Sequence, residues 1–125
     1  MYSDSVTTFS TLKKDIADFT QERDWNKFHT PKNLAISVLL EASELLEIWQ
    51  WASYEKEDID SNKSIRESIE NEMADIIIYL IEMANILDID ISRAVYNKLK
   101  INEEKYPAKL CRGKSYKYTF YQYRK

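Results

Sequence analysis

The sequence predicts an all-α fold, and three observations lead to this prediction. The 125 residues include one Gly and two Pro, whereas hairpin-rich and βαβ folds need many residues suited to tight turns. Hydrophobic residues make up 44% and charged residues 31%, which is typical of a globular domain. Apolar residues also recur at helical spacing. We expect one domain, residues 1–125, with a helical core over about 6–106 and an irregular basic and aromatic tail over 107–125.

Helical periodicity and capping signals place the first two helices. Phe9, Leu12, Ile16 and Phe19 are spaced to form one face of a helix over about 6–22. A polar break follows. Thr30 before Pro31 is typical of a helix start, because a hydroxyl caps the first turn and proline fits its first position. The second helix is therefore predicted over about 31–52.

Two further helices and a tail follow. The charged segment "SYEKEDIDSNKS" is predicted to be a loop, and the third helix to span about 63–87. Asp90 can cap a fourth helix over about 91–105, which Pro107 prevents from continuing far. The tail "YKYTFYQYRK" alternates aromatic and polar residues, which leaves a short strand and a surface segment both open.

Two acid pairs interrupt the apolar faces of the second and third helices. Glu41 and Glu44 lie within "LLEASELLEIWQW", and Glu72 and Asp75 lie within "IENEMADIIIYLIEMA". On a helical wheel, Glu41 falls in the middle of the apolar stripe, Glu44 on its flank and Glu47 further round. Each pair has i, i+3 spacing, which puts both carboxylates on one face. If the two helices pack together, four carboxylates converge.

Such a group of acids predicts a metal site. Four carboxylates without a cation repel one another and cannot all ionise, whereas Mg²⁺, with Mn²⁺ as a substitute, prefers oxygen ligands. The alternative is that each pair lies on a helix edge and is neutralised by lysine or water. Because His29 is the single histidine, the chain lacks the Glu-x-x-His pairs of ferritin-like di-iron bundles and the ligands of histidine-rich zinc sites.

Charge and hydropathy limit the partners and the location. Residues 1–92 hold 8 Lys and Arg against 19 Asp and Glu, while residues 93–125 hold 10 against 2. So acidic a body disfavours general nucleic-acid binding. The longest apolar run, "IIIYLI" at 76–81, is too short to span a bilayer, and no signal peptide is evident at the N-terminus. We therefore expect a cytoplasmic protein with neither nucleic acid nor membrane as a partner.

The acid pairs and their flanks resemble a known family. The pattern Glu41-x-x-Glu44, 27 intervening residues, then Glu72-x-x-Asp75 is similar to the signature of the MazG-like all-α nucleoside triphosphate pyrophosphohydrolases. The segments "ERDWNKFHTPKNL", "ELLEIWQW", "DIIIYLI" and "KINEEKYPAKLCRGKSYKYT" look most like the dCTP pyrophosphatase branch. The likeness covers about residues 9–119 and implies a four-helix bundle that assembles as a dimer or tetramer.

The resemblance also implies an activity and site residues. The expected reaction is Mg²⁺-dependent cleavage of a (deoxy)nucleoside triphosphate, with dCTP or a related pyrimidine nucleotide as substrate, into the monophosphate and pyrophosphate. The metal ligands would be Glu41, Glu44, Glu72 and Asp75, with Glu41 or Glu44 as the catalytic base. The remaining assignments are substrate-binding residues: Trp25, Trp51 and Tyr79 near the base, Lys98, Asn102 and Tyr106 near the phosphates, and His29 without an assigned part of the substrate.

The chain departs from this family pattern at two places. Ile16 stands where dCTP-type members carry a histidine, which leaves the base preference open. The residues "EEK" after Asn102 replace expected arginines, which would weaken phosphate binding. Two other functions also stay open at this point: a non-catalytic helical module with a structural metal, and a helical interaction protein that docks a partner through its aromatic tail.

Overall fold

The computed structural model describes residues 1–122, and these residues form helices joined by short connections without a β-strand. The all-α prediction is therefore confirmed for the described part of the chain. A single 3₁₀ turn lies at Asn26–Phe28. The α-helices are α1 (Phe9–Glu22), α2 (Pro31–Glu47), α3 (Lys56–Asp60), α4 (Lys63–Leu87), α5 (Ile91–Lys105), α6 (Ala108–Cys111) and α7 (Tyr118–Gln122).

The four long helices begin at polar caps. The side chains of Thr8, Thr30, Asn62 and Asp90 each accept a hydrogen bond from a backbone N–H in the first turn of the helix that follows. Helices α4 and α5 have the predicted bounds. Helix α4 ends at Leu87 and is capped by Asp88, whose φ of 54° is in the left-handed region that stops a helix. Helix α1 begins later than predicted because its cap is Thr8.

The end of α2 differs from the prediction. The helix stops at Glu47 rather than near 52, and residues 48–50 continue as turns with i to i−3 backbone hydrogen bonds. The Trp49 indole N–H donates to the Tyr54 carbonyl oxygen at 2.9 Å, which secures the exit from the helix. The predicted charged loop contains the short helix α3. There Glu55 and Asp58 form a capping box, a local signal that the analysis of apolar periodicity missed.

The predicted irregular tail is also partly helical. It contains α6 and α7, and the strand left open for residues 116–125 is not formed within the described part; residues 123–125 lie outside it. Tyr121 is buried and contacts the rings of Tyr106, Tyr116 and Phe120. Tyr121, which breaks the alternation, is the buried residue, whereas Tyr116 and Tyr118 are exposed, so the alternation does not correspond to the two faces of a strand.

The chain divides into two compact units, Met1–Ile89 and Asp90–Lys125. In the first unit, α4 packs along α2 and also against α1. Its buried centre contains Leu34, Ile81 and Ala84. Helix α1 is tied to the end of α4 by the Asn85 side-chain amide, which donates to the Lys13 carbonyl oxygen at 3.0 Å. In the second unit, α7 packs against α5. The single-domain description of residues 1–125 stays a prediction.

Many large apolar side chains of the first unit are exposed. Leu39, Leu40 and Leu46 of α2 are 67%, 58% and 70% exposed. On α4, Met73, Ile77 and Leu80 are also exposed. No helix within residues 1–122 is both long and apolar enough to cross a bilayer.

Candidate metal centre

The packing of α2 against α4 brings three carboxylates together. One oxygen atom from each of Glu41, Glu72 and Asp75 lies within 4.8 Å of the others. Glu41 reaches this position because it lies on the apolar face of α2 that packs on α4, as Leu34 and Leu45 do. Glu72 and Asp75 share one face of α4 at i, i+3 spacing. We call Glu41, Glu72 and Asp75 the carboxylate cluster.

Two oxygens of the carboxylate cluster have no partner within the described chain. Glu41 Oε2 and Glu72 Oε2 are buried and form no hydrogen bond. None of the ion pairs formed by residues 1–122 includes Glu41, Glu72 or Asp75. A buried acceptor without a donor costs about 1–3 kcal/mol. The cluster therefore has a net requirement for positive charge that its own surroundings do not meet.

The electrostatics of the cluster agree with this requirement. Burial, followed by the neighbouring carboxyls of Glu44, Glu72 and Asp75, raises the pKa of Glu41 from 4.5 to about 7. The pKa of Glu72 is also raised, first by burial and then by the neighbouring carboxyls of Glu44 and Asp75, whereas the neighbouring Glu41 carboxyl acts in the opposite direction. A proton shared between these acids is thus the alternative to a bound cation.

Glu44 lies beside the cluster rather than within it. Its side chain is exposed, while its carboxyl interacts with both Glu41 and Glu72. Glu47 is exposed, as its place on the helical wheel predicts. Three of the four predicted metal ligands are therefore brought together, and Glu44 borders them on the solvent side. The assignment of all four as ligands stays a prediction.

The donor set suits a hard divalent cation. Carboxylate oxygens are the ligands that Mg²⁺ and Mn²⁺ prefer, and Mg²⁺ is held by a few carboxylates together with water and phosphate oxygens. The two buried oxygens without donors, on Glu41 and Glu72, would gain a partner if a cation were bound. Glu41, Glu72 and Asp75 are the residues that would hold it.

Aromatic side chains border the cluster on the side of Tyr79. The Tyr79 ring is half-buried, and its pKa is raised first by burial and then by the charges of Glu41, Glu82 and Asp75. The His29 ring meets Tyr79 edge to face at a centroid distance of 6.4 Å and meets Trp25 at 6.5 Å. Trp25 is 43% exposed. Trp25 and Tyr79, both predicted near the base, thus form one aromatic row with His29, which was predicted to bind the substrate.

The other predicted substrate residues are Trp51 in the first unit and three residues of the second unit. Trp51 is 90% exposed, and no ring contact of residues 1–122 involves it. Lys98 and Asn102 lie on α5, and Tyr106 is its C-cap, so all three belong to the second unit. There the Tyr106 ring contacts Tyr118 and Tyr121. The roles of these four residues stay predictions.

Two polar residues that the sequence analysis did not select are buried near the aromatic row. Thr20 is 2% exposed and Glu82 is 6% exposed. The Thr20 hydroxyl donates to Glu82 Oε1 at 2.7 Å. The signal available in the sequence was the position of Glu82, which follows Asp75 and Tyr79 along the same face of α4 and directly follows an apolar run.

Comparison with known proteins places the chain in a family. The model of the MazG-like family matches residues 36–119. The chain is 38% identical over 114 residues to dCTP pyrophosphatase 1 of Homo sapiens and 35% identical over 113 residues to that of Rattus norvegicus; each match covers 90% of this chain and 66% of the relative. The chain therefore spans about two thirds of the length of these relatives.

A solved structure agrees with these matches. The crystal structure of a pyrophosphatase from Archaeoglobus fulgidus superposes with a TM-score of 0.73 at 36% sequence identity, covering 86% of this chain and 99% of that chain. The resemblance to the dCTP pyrophosphatase branch, stated from the acid pairs and their flanks, is confirmed by these matches. The chain belongs to the MazG-like family.

Proposed function

We propose that this chain is a Mg²⁺-dependent nucleoside triphosphate pyrophosphohydrolase. Its substrate is a (deoxy)nucleoside triphosphate, with dCTP or a related pyrimidine nucleotide preferred, and its products are the monophosphate and pyrophosphate. The carboxylate cluster is the observation that carries this proposal, because it joins three acids with two buried oxygens that lack donors. The relatives named dCTP pyrophosphatase 1 support the reaction and the base.

The carboxylates have separable roles in this proposal. Glu41, Glu72 and Asp75 hold the cation, which supplies positive charge to the phosphate oxygens and to the attacking water. Glu44 is exposed beside them and is not needed to complete the group of three. It is therefore the carboxylate free to accept a proton from water, and we assign it as the general base in preference to Glu41.

The remaining residues bind the substrate. The exposed face of Trp25 offers an indole on which a base can stack, next to His29 and Tyr79. Trp51 is assigned to the same pocket. Lys98, Asn102 and Tyr106 provide a cation, an amide and a phenol, which are suitable donors to phosphate oxygens. Their spacing at i, i+4 and i+8 places them along one stripe.

The test is direct hydrolysis. The purified chain is incubated with Mg²⁺ and each common dNTP and NTP, and the products are resolved by chromatography, with an EDTA-treated sample as control. We expect monophosphate and pyrophosphate, most of all from dCTP, and none with EDTA. Release of inorganic phosphate and a diphosphate, or no cleavage with either Mg²⁺ or Mn²⁺, contradicts the proposal.

The same samples distinguish the two other functions. A structural metal site predicts that Glu41→Gln and Asp75→Asn lower the melting temperature with no hydrolysis to lose. An interaction protein predicts that both substitutions have little effect, while truncation of residues 116–125 abolishes binding to the partner. Enzyme function predicts loss of hydrolysis with the helical content retained.

We also propose that the chain works as a homodimer or homotetramer in the cytoplasm. The support is the apolar surface on α2 and α4, where Leu39, Leu40 and Leu46 are each more than half exposed. Several large exposed apolar side chains on one helix are typical of an interface. Size-exclusion chromatography with light scattering should give a multiple of the 14.9 kDa chain mass. The double variant Leu40→Glu and Leu46→Glu should give a smaller particle, whereas a monomeric wild-type chain contradicts the assembly.

A further inference from the structure

Thr20, His29 and Glu82 form a second polar cluster, which the proposed metal chemistry does not use. Thr20 lies on α1, Glu82 lies on α4, and His29 lies in the segment before α2. Thr20 and Glu82 are buried, and the His29 side chain is 14% exposed. A carboxylate as buried as Glu82 is rare unless donors surround it. We call these residues the Thr20–His29–Glu82 cluster.

Each oxygen of Glu82 faces a different donor group. The Thr20 hydroxyl lies 2.7 Å from Oε1, to which it donates, and 3.0 Å from the Ile16 carbonyl oxygen. The other oxygen, Oε2, lies 3.5 Å from His29 Nδ1. Both Oε2 and Nδ1 are buried, and neither has a hydrogen-bond partner at its present distance. A proton on Nδ1 directed at Oε2 would satisfy both atoms at once, so the surroundings favour the Nδ1–H tautomer.

The other ring nitrogen, Nε2, then carries a lone pair. Edge contacts with Trp25 and Tyr79 on two sides hold the imidazole plane. In a histidine whose one nitrogen is bonded to a carboxylate, the opposite nitrogen is the one presented to a ligand. Nε2 is therefore an oriented hydrogen-bond acceptor in the aromatic row.

The distance between the two clusters suits a nucleotide. Asp75 and Glu82 are seven residues apart on α4, which corresponds to about 10 Å along the helix axis. Tyr79 lies between them in sequence and contacts the His29 ring. A nucleotide with its phosphates at the carboxylate cluster would thus extend its base along the aromatic row toward His29.

We propose that Glu82 is a positioning residue that holds His29 as the Nδ1–H tautomer, so that His29 Nε2 accepts a hydrogen bond from the exocyclic amino group of the substrate's base. The proposal rests on the proposed function. It favours bases with such an amino group, cytosine and adenine, over uracil and thymine. The latter present a carbonyl oxygen instead, which would place two acceptors against each other.

The tautomer can be measured without any activity. His29 is the only histidine, so ¹⁵N-histidine labelling gives one set of imidazole signals in a long-range ¹H–¹⁵N NMR spectrum. We expect the Nδ1–H tautomer for the metal-free and nucleotide-free protein at about pH 8. In Glu82→Gln the amide oxygen can accept from Thr20 while the amide N–H donates to Nδ1, which moves the proton to Nε2. An imidazolium or Nε2–H form in the wild type, or an unchanged tautomer in Glu82→Gln, overturns the proposal.

A matched control keeps the measurement interpretable. Asn85→Ala removes another hydrogen bond between α4 and α1, the one from the Asn85 amide to the Lys13 carbonyl oxygen, and this bond does not involve His29. We expect the wild-type tautomer in this variant. If Glu82→Gln does not fold, Glu82→Leu replaces it, since it removes the carboxylate that faces Nδ1; an unchanged tautomer there also counts against the proposal.

Base selectivity tests the contact with substrate. The ratio of kcat/KM for dCTP to that for dUTP should exceed about ten in the wild type and fall roughly tenfold in Glu82→Gln, the size expected for one hydrogen bond. The change should appear mainly in KM, while Asn85→Ala keeps the wild-type ratio. An equal loss for both nucleotides in Glu82→Gln shows a merely structural role and overturns the proposal. If the wild type cleaves no triphosphate, the proposed function and the base contact fail together, and the NMR result alone decides whether Glu82 positions His29.

Discussion

The carboxylate cluster and the Thr20–His29–Glu82 cluster both use acids of α4, yet their surroundings differ. In the carboxylate cluster, acid faces acid, and two buried oxygens have no donor. In the second cluster, Glu82 has a hydroxyl at one oxygen and an imidazole nitrogen near the other. Glu82 Oε2 also lacks a hydrogen-bond partner, but the group that faces it is a histidine nitrogen able to carry a proton rather than another carboxyl. The comparison teaches that burial alone does not identify a metal ligand; the available donors do.

The largest expected effect follows from breaking the carboxylate cluster. Glu41→Gln should lower kcat/KM for dCTP by about 10²–10³-fold, because it removes one charge from the group that holds the cation. Steady-state assays of pyrophosphate release at saturating Mg²⁺ provide the measurement. Retained helical content, measured by circular dichroism, is the control. Activity within about twofold of the wild type would show that Glu41 is not part of the metal site.

Mg²⁺ should distinguish the two clusters by its effect on stability. At a free Mg²⁺ concentration about 100 times its Kd, the wild type should gain about 2.7 kcal/mol in free energy of unfolding. Thermal melts with Mg²⁺ and with EDTA measure the gain as an increase in melting temperature. Glu41→Gln should lose this increase, whereas Glu82→Gln should keep it. If Mg²⁺ changed the melting temperatures of the two variants by the same amount, cation binding would not depend on the carboxylate cluster as we infer.

Removal of a donor from the second cluster should destabilise the protein whether or not metal is present. Thr20→Val keeps the side-chain shape but leaves Glu82 Oε1 without its hydroxyl donor. The expected decrease in the free energy of unfolding is about 1–2 kcal/mol. Urea denaturation with Mg²⁺ and with EDTA should give the same decrease. A decrease seen only with Mg²⁺ would connect Thr20 to the metal site.

The smallest expected effect is a dependence of stability on pH in the metal-free protein. The pKa of Glu41 is raised from 4.5 to about 7 by burial and neighbouring acids, so the folded state binds a proton that the unfolded state releases. Stability is therefore greatest below about pH 4.5 for this group and falls as the pH rises to about 7. Solvent screening of a half-buried acid limits the decrease to about 1 kcal/mol.

Urea denaturation in EDTA between pH 5 and 8 measures this dependence. Glu41→Gln is the matched variant, because an amide cannot titrate, and its stability should change less over the same range. Stability that rises through this interval by the same amount in both proteins would contradict the assignment to Glu41.

Local signals predicted the long helices with good accuracy. Asn62 and Asp90 cap α4 and α5 through their own side chains, and the bounds of these helices were predicted correctly. The end of α2 was predicted incorrectly. Apolar residues continue beyond Glu47, and the stop depends on a hydrogen bond from Trp49 to Tyr54. The short helices α6 and α7 were missed for a related reason: their few residues carry no periodic signal, and Tyr121 is held by ring contacts.

Helical periodicity also predicted which acids form the candidate metal centre. Wheel positions placed Glu41, Glu72 and Asp75 on apolar faces, and the structure brings them together. The wheel placed Glu44 on the flank of the stripe but did not show that its side chain is exposed, because this depends on how closely α4 approaches α2. Glu82 was passed over because its donor Thr20, on α1, and its neighbour His29, in the segment before α2, are distant in sequence.

The sequence by itself determined the helical class, the positions of the long helices and the family, since these depend on local propensity, capping and residue spacing. Only the tertiary structure decided which acids lie next to other acids and which lie next to hydrogen-bond donors. That decision depends on contacts between residues 62 positions apart, such as Thr20 and Glu82, and no local pattern encodes it. The environment of a buried carboxylate is a property of the packed helices, and this environment separates a candidate cation ligand from a positioning residue.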